Sequence, residues 1–180
     1  MINSAENFIH TDVPGFYKII KLHEFRKTPG VSFDILPMDL IPHIDGVDRV
    51  IHHYNAVSPG PVGDVERPWY MHTDQDDYLM VLSGTRYVDI YHPDSGKVES
   101  FVVSANSVEK DGKVIFDGPV MLIWPRGVFH RIRSAETGSA SLNFAVRYEN
   151  FDIRHNFSIY DLNTETGEYE LLREGYLDQK

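Results

Sequence analysis

Turn chemistry recurs so often in this sequence that it leaves little room for helices. Pro93-Asp94-Ser95-Gly96, Asp111-Gly112, Asp117-Gly118-Pro119 and Glu136-Thr137-Gly138 each combine residues that tolerate positive φ or pre-set a turn. The segments around them are short: TRYVDIYH, VESFVVSA, KVIFD, VMLIW, FHRIRS and SASLNFAVRY. Their β-branched and aromatic content predicts strands. Strands at short spacing with almost no helical periodicity imply an all-β sandwich or barrel.

The flanks are less regular. Pro14, Pro29, Pro37 and Pro42 prevent a long helix over residues 1 to about 45. A short helix is expected from Tyr17 to Lys27, because Ile19, Ile20, Leu22 and Phe25 fall roughly on one face. RVIHHYNAV reads as a strand closed by Ser58-Pro59-Gly60, and FSIYDLNTETGEYELLREG as a hairpin turning over Asn163 to Gly167. The chain therefore divides into an N-terminal arm with a short helix and strands (1–48), a β-barrel (49–150) and a C-terminal hairpin (151–180) that packs on the barrel or on a partner subunit.

At 180 residues the chain supports one sizeable core. A formal net charge of -10, with Lys and Arg dispersed among acids, argues against a nucleic-acid or anionic-membrane surface. The absence of cysteine excludes disulfides and thiolate metal sites, so any metal must be held by His, carboxylate or neutral oxygen. The N-terminal stretch has neither a basic nor an apolar leader segment, and no apolar run approaches membrane-spanning length. A soluble, cytoplasmic protein with small-molecule partners is expected.

Two stretches concentrate the chemistry. WYMHTDQDDYLMVLSG, from Trp69 to Gly84, packs a histidine, three acids and a glutamine ahead of an alternating strand that ends at a glycine turn. GPVMLIWPRGVFHRI, from Gly118 to Ile132, places His130 just after a Pro125-x-Gly127 turn. In a small barrel alternate residues face inward. With His72 inward, Tyr70 shares its face, and Asp77, Leu79 and Val81 resume that register beyond the acidic turn. Two imidazoles and a carboxylate then converge as a facial set suited to a first-row divalent ion.

The two stretches resemble the paired motifs of the cupin family. The first motif is Gly, five residues, His-x-His, three or four residues, Glu, six residues, Gly; the second is Gly, five residues, Pro-x-Gly, two residues, His. Asp77 stands six residues before Gly84 in the place of the Glu, His72 takes the second His, and Tyr70 fills the slot of the first. Pro125-x-Gly127-x-x-His130 fits the second motif, with Gly118 one residue further away than it asks. The resemblance spans roughly Val57 to Tyr148. It implies a double-stranded β-helix, or jelly-roll barrel, and a homodimer assembled through the barrel face and terminal strands.

It also implies a metal site of His72, Asp77 and His130 for iron, manganese, nickel or zinc, with Asp74 or Gln75 as candidates to complete the shell. The resulting expectation is a metal-dependent, dioxygenase-type enzyme acting on a small polar or aromatic metabolite, with Tyr70 as acid or hydrogen-bond donor. The alternative is a metal-free sugar or keto-acid epimerase or isomerase using His72, Asp77 and Tyr70 as acid-base groups. A third reading is a non-catalytic ligand-binding barrel. Around the site, Arg126 is a candidate for a substrate carboxylate, His52 or His53 for a pocket-facing role, and Trp69, Trp124 and Phe129 for lining a pocket.

Overall fold

The computed structural model describes residues 7–180. The first strands are β1 (Ile9–Val13), β2 (Tyr17–Lys21), β3 (His23–Thr28), β4 (Val31–Ile35), β5 (Gly46–His52), β6 (Val57–Ser58) and β7 (Trp69–Met71). The barrel continues with β8 (Gln75–His92), β9 (Lys97–Ser104), β10 (Ser107–Lys110), β11 (Lys113–Asp117), β12 (Val120–Trp124) and β13 (Phe129–Arg147). A single-turn helix α1 (Ile153–Asn156) then leads to β14 (Ile159–Leu162) and β15 (Tyr169–Arg173). Among the described residues no helix is long and apolar enough to cross a membrane.

All pairings are antiparallel, and every strand except the separate β3–β4 hairpin joins one sheet whose main path runs β1-β2-β12-β8-β13-β7-β14-β15. β9 extends it from the edge of β8, while β5 and β6 pair with β13. The jelly roll is built on the long β8–β13 ribbon. Phe129 to Ser134 pairs with Tyr91 to Arg86, and Ser139 to Arg147 pairs with Gly84 to Gln75.

The sequence reading placed a turn at Gly84 and another at Glu136-Thr137-Gly138. Both lie instead inside continuous strands, where the ribbon bends. Gly84 and Gly138 each have φ of +70°. A Cβ on Gly84 would stand 2.1 Å from the Gly138 carbonyl oxygen, and one on Gly138 would stand 2.5 Å from that of His52. Only glycine lets the backbones approach this closely with a left-handed φ.

The expected helix over Tyr17 to Lys27 is also absent, because β2 and β3 occupy those residues. Ile19 and Ile20, read as one helical face, point to opposite faces of the sheet. Ile19 packs with Leu79, Val88, Leu122 and Trp124 inside the barrel. Ile20 packs with Met121, Ile123 and Val146 on the outer face. That face is covered by Leu36, Leu40 and Ile41, which explains why every residue of VMLIW is buried. Within residues 7–48, β2 hydrogen-bonds along β12 and β5 along β13. At the other end the β14–β15 hairpin hydrogen-bonds to β7 and covers Trp69, Met71 and Phe129.

Candidate active site

The apolar filling of the barrel gives way, toward β5 and β7, to a cavity of about 190 Å³ walled largely by polar side chains. His72 follows directly on β7, β8 delivers Gln75 and Asp77, and β13 delivers His130; all four are buried. His72 Nε2 lies 3.1 Å from Asp77 Oδ2, and His130 Nε2 lies 3.8 Å from the same oxygen. Gln75 donates to the other carboxylate oxygen at 2.8 Å. Tyr70 shares the cavity wall, its ring centroid 5.9 Å from that of His130.

The acids of the first stretch take different parts, and the reason is the Pro125-Arg126-Gly127 turn. The Arg126 amide donates to Asp76 Oδ1 at 2.8 Å, and the Tyr148 hydroxyl donates to Asp76 Oδ2 at 2.7 Å. Gly127 N–H donates to the His72 carbonyl at 2.8 Å. The turn is thus riveted to the acidic stretch. With Asp76 held outside, the pleat sends Asp77 into the barrel. Asp74 stays at the surface 3.9 Å from Arg126, so of the two candidates to complete the set it is Gln75 that enters.

The ring nitrogens define the protonation state. His72 Nδ1 is hydrogen-bonded to the Asn156 carbonyl, and His130 Nδ1 to that of Val128 at 3.3 Å. Each Nδ1 must therefore carry hydrogen, which leaves both Nε2 atoms aimed at Asp77. Burial pulls the His72 imidazole down, but the Asp77 carboxylate, its hydrogen bond and the Asn156 carbonyl together hold it above 6.5. Burial likewise opposes ionisation of Asp77, yet the charge and hydrogen bond of His72 keep its carboxyl below 3.8. His130 is driven down to about 3 by burial and by the charge on His72, so it is neutral with a free lone pair. Burial pushes the Tyr70 phenol up and keeps its proton on.

The same three side chains suit a divalent metal by donor chemistry: their ligand atoms all lie within 4.8 Å of one another, and both imidazoles are oriented through Nδ1 by backbone carbonyls.

Of the His52–His53 pair it is His52 that faces the cavity. Sequence reasoning missed Asp48 and Val50, which alternate with it along β5 and line the same wall, and Arg86 on β8. The signal for Arg86 was present: in TRYVDIYH it shares the period-two face of Val88 and Ile90, both fully buried. Trp124 lines the cavity with its ring centroid 5.1 Å from that of His130, whereas Trp69 and Phe129 pack under the C-terminal hairpin. Arg126 turns away, stacked 4.0 Å over the Tyr148 ring. Arg131 and Arg133 face a separate groove shared with Arg67 and Asp89.

No protein-family model matches the sequence, and no curated protein matches it. Solved structures do resemble its fold. One is a sugar 3,4-ketoisomerase from Thermoanaerobacterium thermosaccharolyticum in complex with TDP, with TM-score 0.55, 15% identity, and coverage of 78% of this chain and 85% of that one. Another is NovW, a 4-keto-6-deoxy sugar epimerase from the novobiocin cluster of Streptomyces spheroides, with TM-score 0.56, 10% identity, and coverage of 79% and 67%. A third is dTDP-4-dehydrorhamnose 3,5-epimerase from Elizabethkingia anophelis, with TM-score 0.54, 14% identity, and coverage of 78% and 74%. At these identities the likeness establishes the fold alone, a jelly-roll barrel.

Proposed function

We propose that this protein is an isomerase or epimerase that moves a proton at a carbon next to a carbonyl group, on a small keto sugar or keto acid. The observation that carries the reading is the pairing, in one buried cavity, of a neutral imidazole with a free Nε2 and a phenol that keeps its proton. His130 accepts the proton from carbon through Nε2, the C–H electrons form the carbon–carbon double bond of an enol, and Tyr70 donates its proton to the carbonyl oxygen. Return of a proton to the other face or the neighbouring carbon completes epimerisation or isomerisation.

In this reading the base is His130 and not His72, whose two ring nitrogens are both committed to acceptors. The His72–Asp77 pair positions the base, and Asp77 stabilises the imidazolium formed 3.8 Å away. The known activities of the structural neighbours, ketoisomerase and epimerase, support this choice over the oxygenase-type reaction expected from the motif resemblance.

The test is proton NMR in D2O with a panel of keto sugars and keto acids. Deuterium should enter the carbon next to the carbonyl with the native protein, and not with His130→Gln or Tyr70→Phe. If no carbonyl compound exchanges a proton, the proposal fails.

A second reading rests on the convergence of both Nε2 atoms on one carboxylate. His72, Asp77 and His130 would then hold a divalent ion, which would supply Lewis-acid polarisation of a coordinated oxygen. Elemental analysis of protein purified without tag or chelator, beside His130→Ala, decides it: about one metal per chain, lost in the variant, selects this reading. The homodimer belongs to the same proposal, supported by the exposed Tyr169, Leu171 and Leu177 of the C-terminal segment. A sedimentation mass of a single 20.7 kDa chain would remove it.

A further inference from the structure

Arg86 is the cavity residue that neither the fold nor the His72–Asp77–His130 set explains. It is fully buried. Its Nε donates to Ser139 Oγ at 2.9 Å and its Nη2 to the Val50 carbonyl at 3.1 Å, while Nη1 has no partner among the described residues. No carboxylate among those residues pairs with it, Asp48 included, whose charged neighbours are Asp77, Arg147 and His72. Burial lowers the guanidinium only to about 10, so it stays charged at neutral pH.

Burying an unpaired cation is strongly unfavourable, a cost a fold does not carry without return. Beside it, His52 lines the same cavity with its Nδ1 also unpartnered. Burial and the Arg86 charge bring His52 down to about 4, so it presents a neutral imidazole. A guanidinium with a free N–H edge and an adjacent imidazole are the groups that bind a carboxylate.

We propose that Arg86 and His52 form the carboxylate-binding end of this cavity and that its substrate is a small keto acid. The inference deepens, and its substrate class rests on, the carbonyl chemistry proposed above. Along the β8–β13 ribbon, Arg86 pairs with Ser134 and Ile90 with His130, four residues apart. At about 3.3 Å per residue the two positions are roughly 13 Å apart, and the long arginine side chain closes much of that span. A cavity of about 190 Å³ lies below the usual size for drug-like ligands, roughly 300–1,000 Å³, and suits a keto acid of a few carbons. Arg131 and Arg133, the basic cluster that could hold a nucleotide diphosphate, face the opposite side of β13 from His130.

The experiment is calorimetric titration of the full chain with 4-oxopentanoate and with its methyl ester. The free acid should bind and the ester should bind at least tenfold more weakly. Arg86→Met should lose the acid, with a Kd at least tenfold higher, and Arg86→Lys should fall between the two. Arg86→Met should also unfold no earlier than the native protein, since an apolar side chain of similar volume replaces an unpaired charge and the Ser134–Ser139 hydrogen bond remains. A variant destabilised by several degrees would show that Arg86 is structural and overturn the inference. Equal binding of acid and ester, or of acid by native protein and Arg86→Met, would overturn it as well. Arg86-dependent binding without deuterium exchange supports the carboxylate site and sinks the acid-base reading; exchange on neutral ketones that ignores Arg86 does the reverse.

Discussion

Replacing Asp77 by asparagine tests the protonation scheme directly. In the native protein Asp77 shares a 3.1 Å contact with His72, and that contact holds the buried imidazole in its charged form. An asparagine keeps the shape but removes the charge, so burial takes over and His72 becomes neutral, accepting from the new amide. At pH 7.5 the variant loses at least one charge-assisted buried hydrogen bond, about 2 kcal/mol or more. Below 6.5 the unfolded histidine binds a proton that the folded variant refuses.

The native protein behaves oppositely, because its raised His72 value gives stability that is fully present below 6.5 and lost as pH rises through the folded value. The gap between the two proteins therefore widens by about 1.4 kcal/mol for each pH unit below 6.5, about 2 kcal/mol of widening by pH 5. His52 titrates in both proteins and cancels in the difference. Urea titrations at pH 7.5 and 5, followed by the fluorescence of buried Trp69 and Trp124, measure it. A destabilisation equal at the two pH values would refute the charged His72.

Other consequences are simpler. Gly84→Ala should cost about 3 kcal/mol or more, since its Cβ would overlap the Gly138 carbonyl, whereas Gly96→Ala, also at positive φ but in open space, should cost about 1. Urea midpoints of the two variants provide the comparison, and similar values would count against the bent-ribbon account. Leu122→Ala, at a fully buried barrel position, should cost about 3 kcal/mol in the same assay. Because burial lowers His52 to about 4, native stability should fall by about 2 kcal/mol between pH 6.5 and 4.5 through this residue, and His52→Gln should lose that part of the slope.

Much of this architecture was legible along the chain. Alternating strands punctuated by Asp111-Gly112 or Pro93-Asp94-Ser95-Gly96 leave a β-barrel as the only way to bury one face of each strand, and those are local properties. His72, Asp77 and His130 stood out by spacing, and the structure does bring their ligand atoms together. The errors share a cause. Ile19-Ile20 looked helical because local periodicity cannot show that both faces of a sheet are covered. Gly84 looked like a strand end because only the approach of Gly138, distant in sequence, shows that it is a bend.

Which of Asp74, Asp76 and Asp77 enters the barrel was likewise a tertiary decision. It is made by the Arg126 amide and the Tyr148 hydroxyl, fifty and seventy-two positions away, which hold Asp76 outside. Arg86 announced its inward register in TRYVDIYH, but its lack of a carboxylate partner is a property of what surrounds it in space. Composition and periodicity determine which faces must be buried; which charges are left facing one another inside is set by pairings between strands far apart in the chain, each worth too little locally to leave a mark in the sequence.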